Sequence, residues 1–436
     1  MQDVDWKAAT DEAIEYLSRL VRFDTTNPPG DELECAHYVA DLLTKEGIEP
    51  TVLESQPKRG NVIARLKGDG SKKPLLLMSH LDVVPAESSR WTVPPFSGEV
   101  RDGYIWGRGT LDTKQLTVMH LMAMFLLKRQ NAPLKRDIIL MANADEETGG
   151  GNGAQWVVDN HFDMIEAEFA LNEGGTALQM NGNTLFFCAT AEKGVAWMKL
   201  TALGRPGHGS MPHTDNPTLH ISRAIERISK YSSPIFAGDT FRGFTNALCK
   251  VDSRGHLLKF ISVPGLGRLI LKLVKDDFIR VMVQTTITPT VIKGGVKTNV
   301  IPDKCELRLD SRILPGVTRD EIEKLVLDLA DNEKMRLEFE AFTEASESPI
   351  KTELFSILED VIARNFPDAA VSPLMLPGGT DSRFVRTKGI PAYGFIPIVL
   401  TRDDIASIHG DDEKISIENL SLGVRLMFHI AASTCL

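Results

Sequence analysis

The sequence predicts an α/β protein whose mostly parallel sheet is flanked by helices and interrupted by an inserted, ferredoxin-like α+β domain. Three observations carry this reading. Through residues 1–191, short runs that are apolar on both faces alternate with helical stretches, as parallel strands covered on both sides do. Residues 192–343 switch to a βαββαβ order, the split-βαβ arrangement. Residues 344–436 return to the first pattern, so the larger domain is discontinuous. At 436 residues the chain also exceeds one ordinary core.

In chain order, Ile14, Leu17, Leu20 and Val21 recur at helical spacing within residues 10–22. A second helix is expected over 32–46, stopped by Gly47 as a left-handed cap. Strands are expected at 61–66, 75–78, 138–142 and 169–171, and Leu116, Met119, Ala123, Leu126 and Leu127 mark a helix over 113–129. In the middle segment the strands fall at 195–203, 285–292, 305–313 and 335–342, and the helices at 217–231 and 319–329. A long apolar insertion, 235–283, follows the first of those helices. It reads either as a partner or self-association face or as a helical insertion packed on its own domain. The chain then offers a helix at 353–365, the Gly-rich PGGTDSRF, a strand at 392–396 and a closing helix at 417–431.

A hydrophobic content of 42% and a charged content of 25% are ordinary for a globular protein. The net charge of −10 and the lack of a basic stripe argue against a nucleic-acid partner. The N-terminal stretch is acidic and amphipathic, with no secretory signal, and no apolar run is long enough to span a bilayer. Cys35, Cys188, Cys249, Cys305 and Cys435 are scattered and never form a CxxC pair, so reduced thiols and a cytoplasmic location are expected, with no membrane partner.

Five segments carry the chemistry: SHLDVVP, GRGTLDTK, NADEETGG, LNEGG and SIHGDDEK. They supply His80, Asp82, Asp112, Glu146, Glu147, Glu173 and His409, a mixed imidazole and carboxylate set suited to a pair of divalent cations. His80, Glu146, Glu147 and Glu173 follow apolar runs closely, so they are expected at the carboxyl rim of one sheet. Asp112 precedes a helix and is the candidate bridging ligand; as an isolated feature it also suits a helix N-cap. Asp82, two residues from His80, can accept the other N–H of the imidazole. Glu146 and Glu147 are adjacent and diverge, one as general base and acid, the other as ligand. His208, in GRPGHGSMPH, is placed to stabilise an oxyanion; His213 is less well placed. His37, His120, His161, His220, His256 and His429 have no motif context and read as structural or exposed. TGGGNGA offers a loose dinucleotide turn through Gly149, Gly151 and Ala154, but Asp145, Glu146 and Glu147 would repel a pyrophosphate.

In order and over nearly the whole chain, these motifs resemble the zinc metallopeptidase family that includes aminoacylase, carboxypeptidase G, acetylornithine deacetylase and succinyl-diaminopimelate desuccinylase. WTVPPFSGEVRDGYIWGRGTLDTK leans toward the branch with Gly-X carboxypeptidases and N-acyl amino acid hydrolases. The resemblance implies two zinc ions per subunit, with cobalt or manganese as substitutes. One would be held by His80, Asp112 and Glu173, the other by Asp112, Glu147 and His409, with Glu146 as base and Asp82 as partner of His80. It implies a homodimer whose smaller domain is both lid and dimerisation domain, His208 reaching the partner's active site. Asn299, Arg312 and Arg383 match substrate-contacting positions, an Arg fork suiting a carboxylate. SIHGDDEK departs from the HGxNE common in relatives, and the apolar insertion is a second departure.

The expected reaction is hydrolysis of an N-acyl amino acid or small peptide with a free carboxylate. Within the same chemistry a dipeptidase or carboxypeptidase is the alternative. A metal-dependent binding protein without catalysis and a dinucleotide oxidoreductase are the readings from other classes.

Overall fold

The computed structural model describes residues 3–331 and 333–436. At the centre of the larger sheet, strands Ile138–Asn143, Leu75–His80, Phe169–Asn172 and Ala392–Gly394 lie side by side and parallel. All their residues are buried, which is why they read as unbroken apolar runs. Leu75 and Leu77 face one helical layer, which includes Trp6–Val21, Leu33–Lys45, Lys114–Arg129, Glu353–Asn365 and Ile417–Cys435. Leu76 and Met78 face the other, with Ala154–Asn160 and Ser382–Thr387.

The flanks of this sheet are antiparallel or mixed. Gly60–Leu66 and the edge strand Pro50–Glu54 continue it on one side; on the other, Asn183–Glu192 pairs with Ala177–Met180 antiparallel and Ala370–Leu376 parallel. The Pro50–Glu54 strand was not expected, since it has no buried residue to give an apolar signal. Register places the site. His80 lies opposite Asn143 and Leu77 opposite Leu171, so three neighbouring strands end at one rim, just before Glu146, Glu147 and Glu173.

Element ends follow local hydrogen bonding. The first helix begins ahead of the expected 10–22 because Asp5 caps it, its Oδ1 accepting from Lys7 N at 3.1 Å and Ala8 N at 3.0 Å. Gly47 has φ +66° beyond the second helix, and Ile48 N donates back to Leu43 O at 2.9 Å.

Gly194–Leu203 opens a separate antiparallel sheet with the order Thr286–Gly294, Lys304–Ile313, Gly194–Leu203, Met335–Thr343. Helices Pro217–Lys230 and Arg319–Ala330 pack on it. The insertion forms helices Asp239–Val251, Arg254–Leu258, Leu266–Val274 and Asp277–Val283. Their inner faces pack on the larger sheet, not on the smaller: Phe241, Phe244 and Leu248 share a core with Leu185, Leu374 and Met375. No helix among the described residues is long and apolar enough to cross a membrane. All five cysteines are free.

His120 sits inside the buried helix Lys114–Arg129 with neither ring nitrogen hydrogen-bonded, and burial pushes its pKa down to about 3. The unfolded chain, with an ordinary value near ~6.5, takes up a proton that the folded chain refuses. Its contribution to stability is therefore full above about 6.5 and lost as pH falls toward 3, at ~1.4 kcal/mol per pH unit. His120→Met is expected to move the acid-unfolding midpoint downward. An unchanged acid limb by circular dichroism would show that His120 carries none of it.

Candidate metal centre

The five residues expected to hold metal meet at the rim where the parallel strands end. His80 Nε2 lies 3.1 Å from Asp112 Oδ1 and 3.5 Å from Glu173 Oε2. His409 Nε2 lies 3.0 Å from Asp112 Oδ2 and 3.3 Å from Glu147 Oε2. Two donor sets result, His80–Asp112–Glu173 and Asp112–Glu147–His409, each with one donor atom per residue and those atoms within 4.8 Å of one another. Asp112 belongs to both, and its two oxygens face different imidazoles, the disposition of a bridging carboxylate. It is not the cap of the following helix, since Thr113 occupies that position.

Buried residues behind the rim hold these side chains in place. The Glu413 carboxylate accepts from Leu111 N at 2.6 Å, Gly109 N at 3.1 Å and Asp112 N at 3.2 Å. Arg108 Nη1 donates to Glu413 at 2.7 Å, and Arg108 Nη2 to Gly410 O at 2.7 Å. A buried ion pair thus ties GRGTLDTK to SIHGDDEK, 302 residues apart between Leu111 and Glu413, and sets Asp112 against His409. This was missed in the sequence, although the Arg of GRG and the final acid of HGDDE were its signal. Asp412, which departs from the expected HGxNE, accepts from Thr92 N and Oγ1 at 2.6 and 2.7 Å in a left-handed conformation, φ +57°. Asp and Asn both tolerate that conformation.

Asp82 is fully buried and has two tasks. Its Oδ1 lies 3.4 Å from His80 Nδ1, which also sits 3.0 Å from the Asp82 carbonyl. Its carboxylate also accepts from Glu146 N at 3.1 Å, Glu147 N at 3.0 Å and Asn27 Nδ2 at 2.8 Å, so it holds the turn that presents both glutamates. Asp145, at φ +70°, anchors the same turn through Arg59, Asn27 and Asn152. The three acids of DEE therefore divide into an anchor and two groups facing the cluster.

Charge is concentrated here. Burial, reinforced by the Glu173 carboxylate, raises the pKa of Glu146 well above the ordinary carboxyl range. Burial raises Glu173 to about 7 and Asp381 to about 6. Hydrogen bonds to Asp112 and Glu147 raise His409 to about 10. Burial disfavours the His80 imidazolium, yet Glu173, Asp112 and Asp82 outweigh it and raise His80 as well. Burial also opposes ionisation of Asp112, but its bonds to His409 and His80 prevail and lower its pKa. Glu147 Oε1 and Asp381 Oδ1 are buried without a hydrogen-bond partner. A free buried acceptor costs ~1–3 kcal/mol, which coordination to a cation offsets. Donor chemistry, shared carboxylate and a spare buried oxygen all fit two divalent cations.

The remaining expected residues lie apart. Among the described residues, no hydrogen bond or ion pair links His208, Asn299, Arg312 or Arg383 to the five ligands. His208 is exposed on Gly207–His208, with Nδ1 2.7 Å from Ser210 Oγ, and Asn299 is beside it, its carbonyl accepting from Gly209 N at 2.8 Å. Arg312 pairs with Asp310 at 2.8 Å in the smaller sheet. Arg383 is nearer, donating to Gly149 O at 3.0 Å in the turn after Glu147. Asp381, two residues before it, is buried, hydrogen-bonded by Asn143 Nδ2, and was not singled out from the sequence.

A cavity of about 1340 Å³ opens at Asp112 and Glu173 and runs between the larger sheet and the insertion. Phe187, Leu374 and Ile396 wall it on one side, Phe244, Leu248 and Ile279 on the other.

Comparison with known proteins agrees with this architecture. The family model described as peptidase family M20/M25/M40 matches residues 76–433. The chain is 33% identical over 375 residues to the N-fatty-acyl-amino acid synthase/hydrolase PM20D1 of Xenopus tropicalis, covering 83% of this chain and 72% of that one. It is 29% identical to the probable carboxypeptidase S-like 2 of Dictyostelium discoideum, covering 84% and 72% respectively. Among solved structures, the M20 family metallo-carboxypeptidase Sso-CP2 of Sulfolobus solfataricus aligns with a TM-score of 0.73 at 18% identity, over 97% of this chain and 99% of that one.

Proposed function

The chain belongs to peptidase family M20/M25/M40, and we propose that this metallopeptidase-type hydrolase cleaves N-acyl amino acids whose acyl group is a long hydrocarbon chain. The observation that carries the reading is the cavity. At about 1340 Å³ it exceeds the roughly 300–1,000 Å³ of an ordinary small-molecule site, and beyond Asp112 and Glu173 aromatic and aliphatic side chains such as Phe187, Phe244 and Leu374 share its lining with polar ones such as Gln179, Arg254 and Asn365. A dipeptide fills little of such a space. The N-fatty-acyl name of the Xenopus relative supports the same substrate class.

The proposed centre holds two zinc ions, on His80–Asp112–Glu173 and Asp112–Glu147–His409. A bound pair of divalent cations supplies an acidified water, with a pKa near ~7, and polarises the scissile carbonyl. Glu146, next to the ligand Glu147 but outside both donor sets, takes the proton of the attacking water and returns it to the departing amide nitrogen. Asp82 fixes the His80 ring and the turn bearing Glu146. Arg383, outside the cavity and against the Gly149 carbonyl, receives the substrate carboxylate. His208 and Asn299 serve the cluster of a second subunit in a homodimer, a reading supported by their exposure at one small two-stranded sheet, Gly207–His208 with Val300–Ile301, away from their own cluster. Arg312 is assigned to substrate with them. The reduced cysteines support a cytoplasmic location.

Elemental analysis of purified protein is expected to give two zinc equivalents, and a chelator to abolish amidase activity. With a panel of N-acyl amino acids and dipeptides, kcat/KM is expected to climb with chain length by about four-fold per methylene, the equivalent of ~0.8 kcal/mol, until the cavity is filled. Leu248→Trp should lower the preferred length without altering metal content. Preference for dipeptides over long-chain acyl amino acids would replace this reading with the carboxypeptidase one.

A further inference from the structure

We propose that the outer face of the insertion, residues 254–275, docks on an anionic lipid surface. The inner face of these helices is already taken up by the core that the insertion shares with the larger sheet, but the outer face presents apolar side chains to solvent. Leu269 is 51% exposed, Leu273 63% and Phe260 55%, with Leu257, Val263 and Leu266 exposed around them. On the helix Leu266–Val274 only Gly267 and Ile270 are buried, so the leucines at 266, 269 and 273 point away from the protein. An ordinary globular surface scatters such residues singly; here six gather in one short segment.

Charge selects the partner. Residues 253–275 contain Arg254, Lys259, Arg268, Lys272 and Lys275 and no Asp or Glu, within a chain of net charge −10. Among the described residues, only Arg254 of these five is in an ion pair. Leucine and phenylalanine interleaved with unpaired Lys and Arg are the composition of a helix that lies in a membrane interface, its apolar side chains in the acyl boundary and its cations at anionic headgroups. In a two-fold contact between copies of the chain, the same basic face would meet itself.

Position gives the surface a use. Arg254 and Phe278 line the cavity, and Phe278 is also 42% exposed, so the docking face adjoins one wall of the cavity. An amphiphile leaving a bilayer would meet that wall directly. Docking itself does not depend on what the cavity accepts.

The test is sedimentation of the full-length protein with phosphatidylcholine vesicles and with vesicles containing phosphatidylglycerol, with no substrate present. Binding is expected to the anionic vesicles only and to weaken with salt. Replacing Lys259, Arg268 and Lys272 together by Gln should weaken it by on the order of 100-fold, from about five-fold per charge. Leu269→Ser with Leu273→Ser should abolish it, while thermal melting and hydrolysis of a short-chain soluble substrate stay unchanged. Absence of binding by the unmodified protein would overturn the proposal. So would concentration-dependent self-association, by light scattering, that the leucine variant removes. Failure of the long-chain preference with intact vesicle binding would count against the substrate reading alone.

Discussion

Glu146→Gln is expected to lose at least about 10³-fold in turnover while retaining its full complement of metal. Gln has the same shape and volume, so packing at the turn is unchanged, but it takes up no proton. A positioned acid–base group contributes ~10²–10⁴-fold, and Glu146 is assigned two transfers in one cycle. Metal retention follows from geometry, since Glu146 belongs to neither donor set, and Asp82 grips this turn through backbone N–H groups that the substitution leaves intact. Kinetics and elemental analysis on the same preparation check both halves. Turnover within ten-fold of the parent would remove Glu146 from the proton path. Asp381 would then be the buried carboxyl to test, since burial raises it to about 6 and one of its oxygens has no partner.

What the sequence disclosed follows from which forces have a sequence period. Strands buried on both faces must be apolar at successive positions, so Leu75–His80 and Ile138–Asn143 stood out at once. The candidate ligands His80, Glu147 and Glu173 stood out for a related reason: near a strand's carboxyl end a charged or imidazole side chain interrupts an apolar run abruptly. Pro50–Glu54, an edge strand without a buried residue, gave no comparable contrast. The groups behind the rim were harder to read because their work is done on backbone N–H groups. The Arg of GRG and the acid ending HGDDE suggest a charge pair, but nothing in their spacing says that Glu413 also accepts from Leu111 and Asp112 N–H. The cavity was illegible because its walls come from segments that no local pattern joins, Phe187 from one and Phe244 from another. Likewise the amphipathic insertion declared an apolar face without declaring which sheet it would cover.

The Arg108–Glu413 pair leads to the largest expected loss of stability. Glu413→Ala leaves the buried Arg108 guanidinium with the Gly410 carbonyl as its one remaining hydrogen-bond acceptor among the described residues, and strips the acceptor from Gly109, Leu111 and Asp112 N–H. Breaking a buried pair on one side costs ~3–5 kcal/mol, a large part of the ~5–15 kcal/mol that holds a domain folded. The melting temperature is expected to fall by about 10 °C and metal affinity by ~10–100-fold, the usual effect of removing a group that orients ligands. Stability and positioning can be separated by the double variant Arg108→Met, Glu413→Leu. Removing both charges should restore the part of the stability lost to the unpaired guanidinium. It cannot restore the acceptor that draws in Leu111 and Asp112, so metal binding should stay weak and turnover low. A double variant that regains metal along with stability would mean that Asp112 and His409 find each other without the clamp. A single variant that melts and binds metal like the parent would remove the ion pair from the architecture of the site altogether.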